Sequence, residues 1–123
     1  MARSHELGRR GERLAEGLLR RSGWSVVDRN VRRGHREVDL VVRRGGVVAF
    51  VEVKTRSGPG FGHPLESITA LKRREIESVA RWWIARHGRV GEDYRFDAIA
   101  VVCEPGRGER LEHVEDAWRP LRR

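Results

Sequence analysis

Apolar residues follow two periods along the chain. Leu7, Gly11, Leu14, Ala15 and Leu18 recur every three or four positions, which predicts an amphipathic helix running from a capping Ser4 to about Arg21 and ending at Ser22-Gly23. A second stripe of Leu71, Ile76, Val79, Ala80, Trp83 and Ile84 predicts a helix from about Leu65 to His87, stopped by Gly88. Elsewhere the pattern is extended. Trp24 to Asn30, Glu37 to Arg44, Val47 to Thr55 and Arg95 to Cys103 read as strands, with Leu111 to Glu115 as a short last one. Gly45-Gly46 suits a tight hairpin turn, Arg32 to Arg36 a basic turn, and Arg56 to Pro64 (RSGPGFGHP) a flexible loop. The order α-β-β-β-α-β implies an α/β fold with a mixed sheet of four to five strands flanked by helices. The strand after the long second helix returns as a parallel neighbour. No repeat or linker divides the 123 residues, a length that suits one domain.

A two-residue turn at Gly45-Gly46 fixes the hairpin register. Arg44 then faces Val47, Asp39 faces Glu52, and Glu37 faces Lys54. Alternation puts those four charged residues on one side and Val38, Leu40, Val42, Ala49, Val51 and Val53 on the other. Taken alone, Glu52 and Lys54 are ordinary outward residues of an amphipathic strand. Asp39 changes that reading, because directly opposed carboxylates, with Cβ atoms about 5 Å apart, destabilise a sheet unless positive charge compensates them. Lys54 supplies part of that charge. A divalent cation supplies more, and carboxylate oxygens from Asp39 and Glu52, with the carbonyl of Val53, suit Mg2+ or Mn2+. Such a centre polarises a phosphodiester oxygen and acidifies a bound water. Lys54 would position or deprotonate that water, or stabilise charge on the phosphate.

Charge strengthens the case for a phosphate substrate. The chain carries a net +8, with 36% charged residues beside 38% hydrophobic ones, which favours a polyanionic partner such as nucleic acid. Arginine doublets are spread throughout, and Lys54 and Lys72 are the only lysines among 26 basic residues. In that background a lysine hints at a site that wants a compact ammonium. Lys72 reads first as part of a solvated helix face, with a phosphate contact near the site as the other reading. The five histidines show no zinc-like spacing, and His63, in the glycine-rich loop, is the one placed near DNA. Asp97 alternates with Ile99 and Val101, so it is expected to be buried with an arginine partner in a structural role. Cys103 has no disulfide partner, and no run approaches the about 20 apolar residues of a membrane span. The expected location is the cytoplasm, with no membrane partner.

The motifs Glu37-Val38-Asp39-Leu40 and Phe50-Val51-Glu52-Val53-Lys54-Thr55-Arg56 resemble those of the PD-(D/E)xK nuclease superfamily. Adding Gly11-Glu12-Arg13-Leu14-Ala15, Phe61-Gly62-His63-Pro64 and Arg95-Phe96-Asp97, the chain is similar to the YraN-like uncharacterised family, predicted endonucleases distantly related to archaeal Holliday junction resolvases. That resemblance implies a restriction-endonuclease-like core and a magnesium site at Asp39 and Glu52. It also implies Lys54 as the motif lysine, with Arg56 close behind it, and Glu12 as a helix-borne acid near the site. From its residues alone, Glu12 reads equally as a surface acid paired with Arg9 or Arg13. The expected activity is magnesium-dependent cleavage of branched or structured DNA, and a homodimer is compatible with it. The alternative is a nucleic-acid-binding protein that keeps the nuclease fold but cuts weakly or not at all. A ribosomal or RNA-associated role explains the charge and leaves the opposed acids unexplained.

Overall fold

The structure is a computed structural model that describes residues 2–57 and 64–120. Helix α1 (Ala2–Arg21) leads into strands β1 (Ser25–Arg33), β2 (Arg36–Arg44) and β3 (Val47–Ser57). A 3-10 turn (Pro64–Ser67), helix α2 (Ala70–His87) and strands β4 (Asp93–Glu104) and β5 (Gly108–Trp118) follow. The strands form one sheet in the order β1-β2-β3-β4-β5, antiparallel except for the parallel β3–β4 pair. The expected α/β architecture is present, and the last strand is a full-length edge rather than a short one.

The helices cover opposite faces of this sheet. Ala15 and Leu19 of α1 pack on Leu40, Val42, Ala49, Val51, Ile99 and Val101. Ile76, Val79, Ala80 and Trp83 of α2 pack on Val38, Val41, Val48, Phe50 and Phe96, with the Trp83 ring edge-on to Phe50 at 5.7 Å. A strand covered on both faces needs apolar residues at successive positions, which is why β3 opens with the unbroken run Val47 to Val51. Burying a side chain of the size of Phe50 contributes about 1.5–3 kcal/mol.

Two helix boundaries differ from expectation. Ser4 lies inside α1, which begins at Ala2, rather than at its N-terminal boundary. Leu65 falls in the 3-10 turn, and α2 starts only after Thr69, whose Oγ1 accepts the Lys72 backbone N–H at 3.1 Å. With the helix so phased, Lys72 precedes Ile76 by four residues and Val79 by seven and heads the core-facing stripe. Leu71, expected inside, is 61% exposed.

The hairpin register is as read from Gly45-Gly46, with Arg44 on Val47 through Leu40 on Val51, and Gly45 takes the φ of +59° that favours glycine. The ladder ends there, one pair short of Asp39 and Glu52. Beyond that point β2 follows β1, through Val31 on Val38 and Arg32 on Glu37, and parts from β3. Strict alternation fails at the same place: Val38 packs with the α2 core, whereas Leu40 and Val42 pack with the α1 core. Nor do Glu52 and Lys54 occupy an outward face. They continue the column of Val48 and Phe50, so two charges end a row that is otherwise core.

Candidate metal centre

The parting of β2 from β3 places Asp39, 8% exposed, and Glu52, 4% exposed, at the floor of a cleft of about 360 Å³. Asp39 Oδ2 accepts the Val53 N–H at 2.7 Å, so the side chain takes the place of the missing ladder acceptor. A residue's N–H and C=O leave a strand on the same side. The Val53 carbonyl therefore faces the gap that β2 has vacated, beside both acids. Lys54 and Thr55 continue the cleft wall along β3, and Glu12 stands on the α1 side.

Glu12 owes its place to two contacts. A Cβ on Gly11 would lie 1.8 Å from Thr55 Oγ1, so only glycine lets α1 approach β3 this closely. The Glu12 carboxylate accepts a bond from Asn30 Nδ2 at 3.1 Å, and Asn30 itself holds a left-handed φ of 48°. The expected pairing with Arg9 or Arg13 is not what holds it. No local pattern around Asn30 announces this role, because it depends on how β1 packs beside α1.

Electrostatics set this pair of acids apart. Burial, then the negative charge of Glu52, pushes the Asp39 carboxyl up to about 9; the Val53 N–H opposes the rise, and a hydrogen bond shared with the Glu52 carboxylate and the charge of Glu12 add to it. Glu52 Oε1 is buried with no hydrogen-bond partner among the described residues. Its other oxygen, Oε2, meets Lys54 Nζ at 3.5 Å and Lys72 Nζ at 3.6 Å. Both lysines of the chain thus converge on one atom, so Lys72 pairs with Glu52 rather than standing on a solvated helix face.

Other expected members lie apart. Glu37 does not face Lys54, since the β2–β3 ladder stops short of it; its Oε2 takes a bond from Arg32 Nε at 2.6 Å on β1. Arg56 sits two residues beyond Lys54 on β3, paired in register with Val102. His63 lies outside the described residues.

A second buried acid looks superficially similar. Asp97, His113 and Glu115 offer ligand atoms within 4.8 Å of one another, the compact three-ligand group among the described residues. Its positive charge is already in place. Arg95 donates to both Asp97 oxygens at 2.9 and 3.0 Å and to Glu115 at 2.9 Å, while His113 Nε2 at 2.7 Å and the Asp116 N–H at 3.0 Å complete the Asp97 carboxylate. Burial alone would push the Asp97 carboxyl up, but His113, Arg95 and the Asp116 N–H together hold it below the usual range. The expected arginine partner is present. His113 joins it without any signal in its own neighbourhood of the sequence.

An α/β fold with a five-stranded mixed sheet between two helices is consistent with a restriction-endonuclease-like core. The chain belongs to the uncharacterised protein family UPF0102, whose profile matches residues 11–101. That span takes in Glu12, Asp39, Glu52, Lys54 and Lys72 and stops short of His113 and Glu115. It is 42% identical over 118 residues to a UPF0102 protein of Rhodococcus jostii, covering 96% of this chain and 100% of the relative. Similar relatives occur in Chloroherpeton thalassium, 36% identical over 121 residues (93% and 94% covered), and Syntrophotalea carbinolica, 45% identical over 112 residues (91% and 90% covered).

Proposed function

We propose that this protein is a magnesium- or manganese-dependent endonuclease that hydrolyses phosphodiester bonds in branched or structured DNA. The observation that carries this reading is Glu52 Oε1, a buried carboxylate oxygen with no partner beside a second acid in an open cleft. A buried polar atom left unpaired costs about 1–3 kcal/mol, more if charged, and a cation removes that cost. The donor set fits a hard divalent ion: two carboxylates and a strand carbonyl, with room in the cleft for water.

In this reading Asp39, Glu52 and the Val53 carbonyl hold the ion. When bound, the ion supplies Lewis-acid polarisation of the phosphate and a more acidic water. Lys54 lies at the cleft wall with its ammonium within 3.5 Å of Glu52, placed to stabilise negative charge growing on the phosphate. Glu12, braced by Asn30, orients the attacking water from the α1 side. Arg56, further along β3, meets the flanking backbone, and the net charge of +8 draws the polyanion in. The preference for branched DNA rests on the likeness to Holliday junction resolvases.

The test compares cleavage of a four-way junction, a flap and a linear duplex, with and without Mg2+ or Mn2+. Wild type is expected to cut a branched substrate only with metal, and Asp39→Ala, Glu52→Ala and Lys54→Ala to bind DNA without cutting it. Binding with no metal-dependent cutting on any substrate would leave a nucleic-acid-binding protein on a nuclease scaffold.

A further inference from the structure

We propose that Lys72 is a second phosphate-anchoring ammonium of this centre, held on Glu52 in the free protein and handed to the substrate phosphate when a divalent cation binds there. This rests on the metal-centre reading above and adds a coupling between metal and DNA that the reading alone does not contain.

Lys54 and Lys72 reach Glu52 Oε2 from different elements, the end of β3 and the first turn of α2. Their separations of 3.5 and 3.6 Å exceed the about 3.2 Å limit of a committed N–H···O bond, so both are loose ion pairs. The Lys72 side chain is 33% exposed, so solvent reaches part of it. The choice of residue matters here. In a chain whose other basic residues are all arginine, these two positions carry lysine. A guanidinium would fork onto the carboxylate as Arg95 does on Asp97, whereas an ammonium on a flexible stem exchanges partners readily.

A divalent ion entering at Glu52 places two positive charges beside both ammoniums and repels them. Lys54 is tied two residues from Glu52 on the same strand. Lys72 comes from a separate element, α2, and is the one able to swing to a phosphate. The same residue therefore competes with the ion in the free protein and cooperates with it once DNA is present.

Mn2+ titration of wild type and Lys72→Met, paired with junction binding in Ca2+ across a salt series, separates these roles. Without DNA, Lys72→Met is expected to bind Mn2+ about three- to tenfold tighter, because a nearby like charge is gone. With DNA it is expected to bind more weakly, with the salt slope reduced by about 0.9, the loss of one phosphate contact. Lys72→Arg is expected to bind Mn2+ more weakly than wild type, since a forked guanidinium is harder to displace from Glu52. Unchanged or weaker Mn2+ affinity in Lys72→Met, or an unchanged salt slope, overturns the proposal while leaving the metal centre intact. A wild type that binds no Mn2+ overturns both.

Discussion

Asp39 with Glu52, and Asp97 with its neighbours, are two answers to burying a carboxylate in one small sheet. Asp97 is 0% exposed, yet every side of it is met by a donor: Arg95 twice, His113 and the Asp116 N–H. Asp39 and Glu52 are nearly as buried, face each other across a gap between strands, and leave one oxygen with no partner. The consequences have opposite signs, with Asp97 held low and Asp39 pushed up to about 9. Completeness of the donor set, more than burial, separates the two acids, and on the proposed reading it marks Asp39 and Glu52 as the pair that takes a ligand.

The largest way to test that contrast is to remove Asp97. Asp97→Ala leaves half-buried Arg95 with fewer acids and is expected to cost about 3 kcal/mol in urea unfolding, with cleavage per folded molecule preserved. Full stability with lost cleavage would reverse the roles assigned to the two acids. Glu52→Gln should do the opposite, lowering cleavage by about 10²–10³-fold while leaving stability equal or higher. A large loss of stability in that variant would make Glu52 structural.

Gly11→Ala drives a methyl into Thr55 and is expected to cost about 1–3 kcal/mol in thermal unfolding, with cleavage falling as Glu12 is displaced. Gly11→Ala with wild-type stability would mean that α1 does not need this close approach.

The next effect is on pH dependence. Asp39 is raised when folded, so its contribution is fully present below its unfolded value near 4 and is lost as pH climbs towards about 9. Metal-free protein should therefore lose stability as pH rises through that window, by at most about 1.4 kcal/mol per unit. Asp97, held low, acts the other way: its contribution is present above the unfolded value and disappears in acid. Asp39→Asn should flatten the alkaline slope and leave the acid limb alone, and a slope unchanged in that variant would contradict the account. Smallest of all, Arg119→Ala removes an exposed pair with Asp116 and should leave the unfolding midpoint unchanged in the same denaturant series.

Much of this was legible in the chain, for local reasons. Gly45-Gly46 fixes a hairpin by turn chemistry alone, and the register that brings Asp39 towards Glu52 follows from it. The features that escaped depend on partners distant in sequence. The hairpin ladder stops at Leu40 because β1 holds the start of β2, and that parting opens the cleft. The outward face expected for Glu52 is closed by α2, a cover that the strand's own alternation does not report. By contrast, Leu71 and Lys72 exchange their expected places for a local reason: Lys72 stands four and seven residues before Ile76 and Val79, whereas Leu71 falls off that stripe. Asn30 and His113 carry no local signal, since each matters only through an acid far away in the chain.

The central claim is that a divalent cation belongs between Asp39 and Glu52 and not at Asp97. Anomalous diffraction from crystals of the wild-type protein soaked in Mn2+ tests it most directly. The predicted result is one strong peak within coordination distance of Asp39, Glu52 Oε1 and the Val53 carbonyl, with nothing at Asp97, His113 and Glu115. A peak at the Asp97 cluster, or none between Asp39 and Glu52, would contradict it.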